Sequence, residues 1–233
     1  MKRPLALSCF FCLLIGLLIG GILPMPWELG QSSPNISNTL LQAPASSDSS
    51  ESAASASAAL APLNKNDNFP LLNTACYVVN TLKEANYAAL SSIVHPEKGV
   101  TFTPYSTVDF DMDQNFTRSQ IKNLAEDNTV YTWGFTDGRG SLINMTMSQY
   151  FAKYVFDTDY TQAVQIGLDR IMISGNALEN LTEAYPDCRF VDFSVPEQDE
   201  SNQGLGWSSL KLVFEPGDTC WYLVGIVHGQ WTI

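Results

Sequence analysis

Histidine and cationic side chains are scarce in this sequence: it has two histidines among 233 residues, and 12 Lys+Arg against 24 Asp+Glu, for a net charge of −12. Residues 68–233 alone hold 9 Lys+Arg against 20 Asp+Glu, a net charge of −11. Such a surface repels nucleic acid and anionic lipid headgroups, which argues against both as partners. With only His95 and His228 present, any imidazole chemistry must use one of them. The catalytic and phosphate-binding signatures G-x-S-x-G, H-E-x-x-H, the P-loop and G-x-G-x-x-G are missing. Gly138-Arg139-Gly140 lacks both a third glycine and a βαβ setting. No set of His and Cys has zinc spacing, so neither a metal nor a cofactor is expected. Asp109-Phe110-Asp111-Met112-Asp113 begins like a calcium loop, but Gln114 stands where glycine should turn the chain. Gln120 stands where a bidentate glutamate should close it. Alternating aspartates are read as the solvated face of a strand, with a weak surface calcium site as the alternative.

Charge is also missing from residues 4–27, directly behind Lys2 and Arg3. As a helix this run would span roughly 36 Å, enough for a bilayer core of about 30 Å. The two leading cations favour the cytoplasmic side and send the rest of the chain outward. The run is longer than a typical signal-peptide core and offers no good A-x-A site, which favours an uncleaved signal anchor over secretion after cleavage. Cys9 and Cys12 lie inside it, away from any strand–helix setting for a redox pair. Cys76, Cys188 and Cys220 remain outside, an odd number that fits one bridge plus one thiol, or three thiols.

Fifteen of the 20 residues over 43–62 are Ala or Ser. They bury too little apolar area to offset their ordering entropy, so 28–67 is read as a disordered tether with a reach of about 30–35 Å. The expected organisation is a transmembrane segment over 1–27, this tether, and one extracytoplasmic domain over 68–233. At that size a domain needs no disulfide to be stable.

Within the domain, Leu71, Leu72, Ala75, Val78, Val79 and Leu82 recur at helical spacing and predict a helix over 70–84. A second follows over 87–94 and stops at Pro96. Residues 146–156 predict another helix with Thr146 as its candidate N-cap, and 118–125 a shorter one. Strands are predicted over 130–135, 142–145 and 189–195. Over 207–215, Leu210, Leu212 and Phe214 alternate with Ser209, Lys211 and Glu215, as in a half-buried strand. From Trp221 onward both faces are apolar. Tyr222, Val224, Ile226 and His228 share one side, and Trp221, Leu223, Val227 and Trp231 the other, barring a bulge at Gly229. Helices first and antiparallel strands after point to an α+β fold with helices on one face of a curved sheet.

Several stretches resemble a family of secreted or membrane-anchored Gram-positive bacterial proteins. They are Val94-His95-Pro96-Glu97-Lys98-Gly99, Tyr131-Thr132-Trp133-Gly134-Phe135-Thr136-Asp137-Gly138, and the C-terminal Trp221-Tyr222-Leu223-Val224-Gly225-Ile226-Val227-His228-Gly229-Gln230-Trp231. The resemblance covers 68–233 and brings no catalytic residues with it. The element order also resembles the NTF2-like (cystatin-like α+β) fold, whose helices and concave sheet enclose a cone-shaped pocket. That fold serves small cyclases and isomerases as well as binding modules, so it does not decide function.

Two functions follow as expectations. The first is a membrane-tethered binding or interaction module of the cell envelope, taking an unidentified ligand or envelope protein. The second is a small pocket enzyme using His228, paired with an acid such as Asp192. The first is favoured, and catalysis is not expected. Candidate binding residues are His95, Tyr105, Trp133 and Tyr222. The second apolar face of the last strand predicts a homodimer through the sheet, unless residues 157–173 cover that face within one chain.

Overall fold

The computed structural model describes residues 61–197 and 204–232. The predicted anchor, and the tether up to residue 60, lie outside them. Among the described residues no helix is long and apolar enough to cross a membrane.

The fold takes hold of the chain a few residues before the expected boundary. The Leu63 N–H donates to the Asp218 carbonyl at 2.7 Å, and Asp67 caps helix α1 (Asn68–Lys83) by accepting from the Phe69 N–H at 3.0 Å. One stripe of α1, including Leu71, Ala75, Val78, Val79 and Leu82, is buried, as its spacing predicts. Helix α2 (Tyr87–Ile93) is capped by Asn86 and ends before Pro96. Strands β1 (Val100–Thr103) and β2 (Gln114–Phe116) and helix α3 (Arg118–Lys122) follow, with a capping box between Thr117 and Gln120. A separate hairpin, β3 (Val130–Phe135) and β4 (Leu142–Thr146), leads into α4 (Met147–Tyr150), for which Thr146 is indeed the N-cap. Instead of the longer helix expected there, α4 runs into one wide turn over Phe151–Val155. Strand β5 (Gln165–Leu168), the short helix α5 (Leu181–Ala184), and strands β6 (Arg189–Val195), β7 (Ser208–Pro216) and β8 (Trp221–Gln230) complete the order.

Six strands form one sheet in the order β2-β1-β8-β7-β6-β5. All neighbours are antiparallel except β1 and β8, which run parallel, so the sheet is mixed rather than purely antiparallel as expected. Helices α1 and α2 and the aromatic cluster around Phe102, Phe116, Trp133, Tyr150 and Phe151 fill one face. Trp133 stacks on Tyr150 at 3.7 Å, and Phe102 meets its neighbours largely edge-on, the geometries aromatic rings favour. Gly99 turns the chain into β1 at φ +71°. A Cβ there would lie 2.5 Å from the Phe116 carbonyl oxygen, so no other residue fits.

The face assignment of β8 differs from the simple alternation. Val213 pairs with Gly225 but Phe214 pairs with Leu223, leaving Val224 as an extra residue. This bulge reverses the alternation. Leu223 and Ile226 both pack toward the helices, while Val224 and Val227 pack on the outer face. His228 therefore sits on the helix face with Ile226, not with Tyr222 and Val224. Trp231 lies beyond the strand and is partly exposed.

The outer face is covered within the chain. Residues 169–188 cross it as a strap, bringing Ile171, Leu181, Ala184, Tyr185 and Cys188 against Phe190, Val213, Val224 and Val227. Residues 165–168 of the expected cover instead become the edge strand β5. The homodimer loses its premise, because the apolar face that motivated it is already occupied. Asp109, Asp111 and Asp113 lie in a turn rather than a strand, with Asp113 accepting from the Asp109 N–H. The three cysteines outside the apolar run are all free thiols.

Phe102→Ala empties the centre of the aromatic cluster. It should cost about 3–5 kcal/mol, measured by urea denaturation monitored by near-UV circular dichroism. A loss below 1 kcal/mol would contradict the packing described.

Candidate functional site

The sequence-derived candidates do not converge on one site. His95 and Tyr222 meet edge-on at 5.4 Å, with the Arg118 guanidinium 5.5 Å from the Tyr222 ring. The His95 Nδ1 accepts from the N–H groups of Glu97 at 3.2 Å and Lys98 at 3.0 Å, closing the turn after α2. That use is structural. Tyr222 also borders a hollow of about 510 Å³ between α1 and β8, shared with Tyr77, Cys76 and Cys220.

His228 is fully buried, and its Nδ1 lies 3.2 Å from the Pro104 carbonyl oxygen. A carbonyl only accepts, so Nδ1 carries the proton. The other ring nitrogen, Nε2, is 3.4 Å from Asp157 Oδ2 and makes no hydrogen bond. Asp157 also accepts from the Tyr160 hydroxyl at 2.6 Å and the Ser208 hydroxyl at 2.7 Å. Burial is the largest influence on the Asp157 carboxyl and pushes its pKa up. The contacts with His228, Tyr160 and Ser208 together outweigh burial and hold it at about 2. The acid beside His228 is thus Asp157 and not Asp192, because Asp192 projects from the opposite face of the sheet.

Asp192 belongs to a second polar centre, which sequence reasoning missed. It faces Lys211 across β6 and β7, and both side chains are completely buried under the strap. Lys211 Nζ donates to Glu179 Oε1 at 3.2 Å and approaches the Ser106 hydroxyl at 3.4 Å. Asp192 accepts from the Met172 N–H at 2.8 Å and the Ser194 hydroxyl at 3.0 Å. Burial raises the pKa of the Asp192 carboxyl, with the Lys211 charge opposing it. A Cβ at Gly229 would come within 2.9 Å of Lys211 Nζ, so the glycine leaves room for the ammonium group. Lys211, expected on a solvated face, is instead the charge that ties the strap to the sheet. The legible signal was an aspartate inside the otherwise apolar Phe190-Val191-Asp192-Phe193, which needs a counter-charge when buried.

The arrangement best suited to hold a ligand lies past the end of β1. A cavity of about 440 Å³ opens between residues 104–113, the tip of the β3–β4 hairpin and strap residues 176–178. Tyr105, Phe135, Asp109, Asp113 and Asp137 line it. Two of the expected binding residues, Tyr105 and Trp133, come together here. Trp133 is fully buried, and its indole N–H donates to the Met145 carbonyl at 2.9 Å, so it forms floor rather than wall. Tyr105 is half-buried. Its hydroxyl lies 3.3 Å from that of Tyr154, whose ring in turn meets His228 edge-on at 5.7 Å. Burial, followed by the contact with Tyr154, pushes the Tyr105 phenol up to about 12. Asp113 accepts from the Thr103 hydroxyl at 2.6 Å, yet burial dominates and raises its carboxyl to about 6. At neutral pH the cavity therefore presents the neutral Tyr105 phenol beside the Asp113 carboxyl, which is harder to ionise than an exposed one.

No family model matches this chain, and no curated protein matches it. Among solved structures, it is similar to one assigned as a calcium/calmodulin dependent protein kinase II association domain from Xanthomonas campestris. The two are 9% identical, the match covers 73% of this chain and 94% of that one, and the TM-score is 0.33. It is also similar to a variant of Rd1NTF2_05, 11% identical over 70% of this chain and 100% of that one, at a TM-score of 0.29. Neither likeness is deep enough to carry residues or activity across.

Asp157 and Asp113 should act on stability with opposite signs. The depressed pKa of Asp157 contributes stability that is present above about pH 4 and lost as pH falls toward 2, on the order of 2 kcal/mol. Urea midpoints between pH 4 and 2 should drop less in Asp157→Asn than in the parent. The raised pKa of Asp113 means that stability is lost as pH rises from about 4 through 6. Asp113→Asn keeps an acceptor for Thr103 and should be more stable than the parent at pH 7.5 by roughly 1–3 kcal/mol. Equal stability there would contradict the burial of this carboxyl.

Proposed function

We propose that this chain is a membrane-tethered, extracytoplasmic binding module of a bacterial cell envelope, with an NTF2-like domain that takes a small ligand in the cavity beside Tyr105. The observation that carries the reading is the cavity itself. At about 440 Å³ it falls in the size range of small-molecule sites, and it combines aromatic walls with a few convergent polar groups. Helices on one face of a curved, mixed sheet, with the cavity at the sheet's end, suit the cone of an NTF2-like domain. The apolar run over 4–27 behind Lys2 and Arg3, and the Ala/Ser-rich stretch after it, support the tether and its outward orientation.

The second reading, a small pocket enzyme, draws on the pairing of His228 with Asp157. It requires a substrate to reach a ring with no solvent exposure, one nitrogen of which already serves the Pro104 carbonyl. A general base must come within hydrogen-bond reach of the proton it abstracts, directly or through one water. The binding reading asks for no such opening.

Two measurements test the proposal. In a bacterium expressing the full chain, the protein should fractionate with membranes, and protease added to wall-stripped cells should remove the domain. Protection from protease would overturn the outward orientation. A small-molecule screen read by backbone amide shifts should cluster its hits at Gly134 and Phe135, whereas hits confined to the hollow beside Tyr222 would move the ligand site there.

A further inference from the structure

We infer that the cavity past the end of β1 recognises an organic ammonium group carried on an apolar stem, as in a free small amine. The inference rests on the reading of this cavity as the ligand site and names the chemistry it selects. Asp109, Asp113 and Asp137 all line it, and no Lys, Arg or His does. An anionic ligand would meet three carboxylates with no counter-charge. A neutral apolar ligand would further desolvate Asp113 without pairing it, a cost that a cation turns into a gain.

The walls fit the same cation. Tyr105 and Phe135 supply aromatic faces, which attract an ammonium group through their negative quadrupole. The structure already shows that attraction next door, where Lys153 Nζ sits 5.1 Å from the centre of the Tyr154 ring. Phe135 is 51% exposed and Leu178 is 70% exposed, so the rim leaves large apolar side chains in water where the stem of a bound amine would cover them.

The layer beneath the cavity is aromatic as well. The Tyr150 hydroxyl is completely buried and has no hydrogen-bond partner among the described residues. Its ring stacks on the cavity floor at Trp133, and it lies within electrostatic range of Asp113 and Tyr105, which both line the cavity.

Three probes with one shared body separate the possibilities: 2-phenylethylammonium, 2-phenylethanol and phenylacetate. They are titrated into the full chain in maltoside micelles at pH 7.5, with affinity from calorimetry and location from the amide shifts of Gly134 and Phe135. The ammonium should bind at least tenfold more tightly than the alcohol, and phenylacetate should not bind measurably. Asp113→Asn should remove most of the preference for ammonium over alcohol. Equal binding of ammonium and alcohol at the Gly134 and Phe135 amides overturns the cation assignment and leaves the cavity as a ligand site. No shift at those amides with any probe overturns both. The comparison of the three probes on the unmodified chain stands even if a variant fails to fold.

Discussion

Strand β8 must bury both of its faces, and the way it does so organises everything else in the domain. It lies between β1 and β7 near the middle of the sheet, so both its edges are paired and every side chain but Tyr222 and Gln230 is buried. One extra residue, Val224, distributes its apolar side chains. Leu223 and Ile226 are sent to the helices, and Val224 and Val227 to the strap. Two hydrophobic clusters of unequal size are thereby stitched to one strand. The helix-side cluster supplies the aromatic floor of the cavity, while the strap-side cluster holds the segment that forms the cavity's far wall.

Much of this was legible where a single physical signal dominates. The apolar spacing of α1, the Pro96 stop after α2 and the Thr146 cap of α4 gave the starts or ends of those elements away within a few residues. Period-2 alternation did the same for β7. The failures have a common physical origin, since alternation predicts faces only while the register is uninterrupted. Gly225, which follows the bulged Val224, was visible in the sequence, and glycine inside a strand often marks a bulge or a close approach. It does both here: a Cβ at Gly225 would lie 2.8 Å from the Tyr185 hydroxyl. A bulge at Gly229 was considered instead, and His228 was consequently placed beside the wrong neighbours. Strands β1, β2 and β5, of three or four residues each, are too short for a periodic signal and owe their existence to the partners they pair with.

The candidate site was only partly legible for a related reason. Tyr105 and Trp133 were sensible choices as large aromatics, but nothing local distinguishes the half-exposed ring from the buried one. Asp113 was visible only as part of a failed calcium pattern. Its significance is the burial imposed by a turn whose ends are held by Thr103 and Asp109. Lys211 was hidden most completely, because a lysine alternating with leucines reads as a solvated position. Only the strap, 32 residues upstream at Glu179, changes that meaning. The strap is held as much by side chains as by packing. Asn180 both accepts from and donates to the Val108 backbone at 2.8 and 2.9 Å, and Thr107 donates to the Leu178 carbonyl at 2.7 Å.

The parallel pairing of β1 with β8 sets a temporal order on the assembly of the domain. Thr101 finds its partner at Gly225, so the sheet cannot close until nearly the whole domain has been synthesised. Contacts of this sequence separation carry a loop-closure cost before they return any stabilisation, and they slow folding accordingly. During that interval α1 and α2 have no sheet to pack against, and the strip from Phe102 to Phe116 stays exposed. Selection for rapid, aggregation-free completion would then act most strongly on residues 208–230, whose hairpin supplies the template that β1 joins.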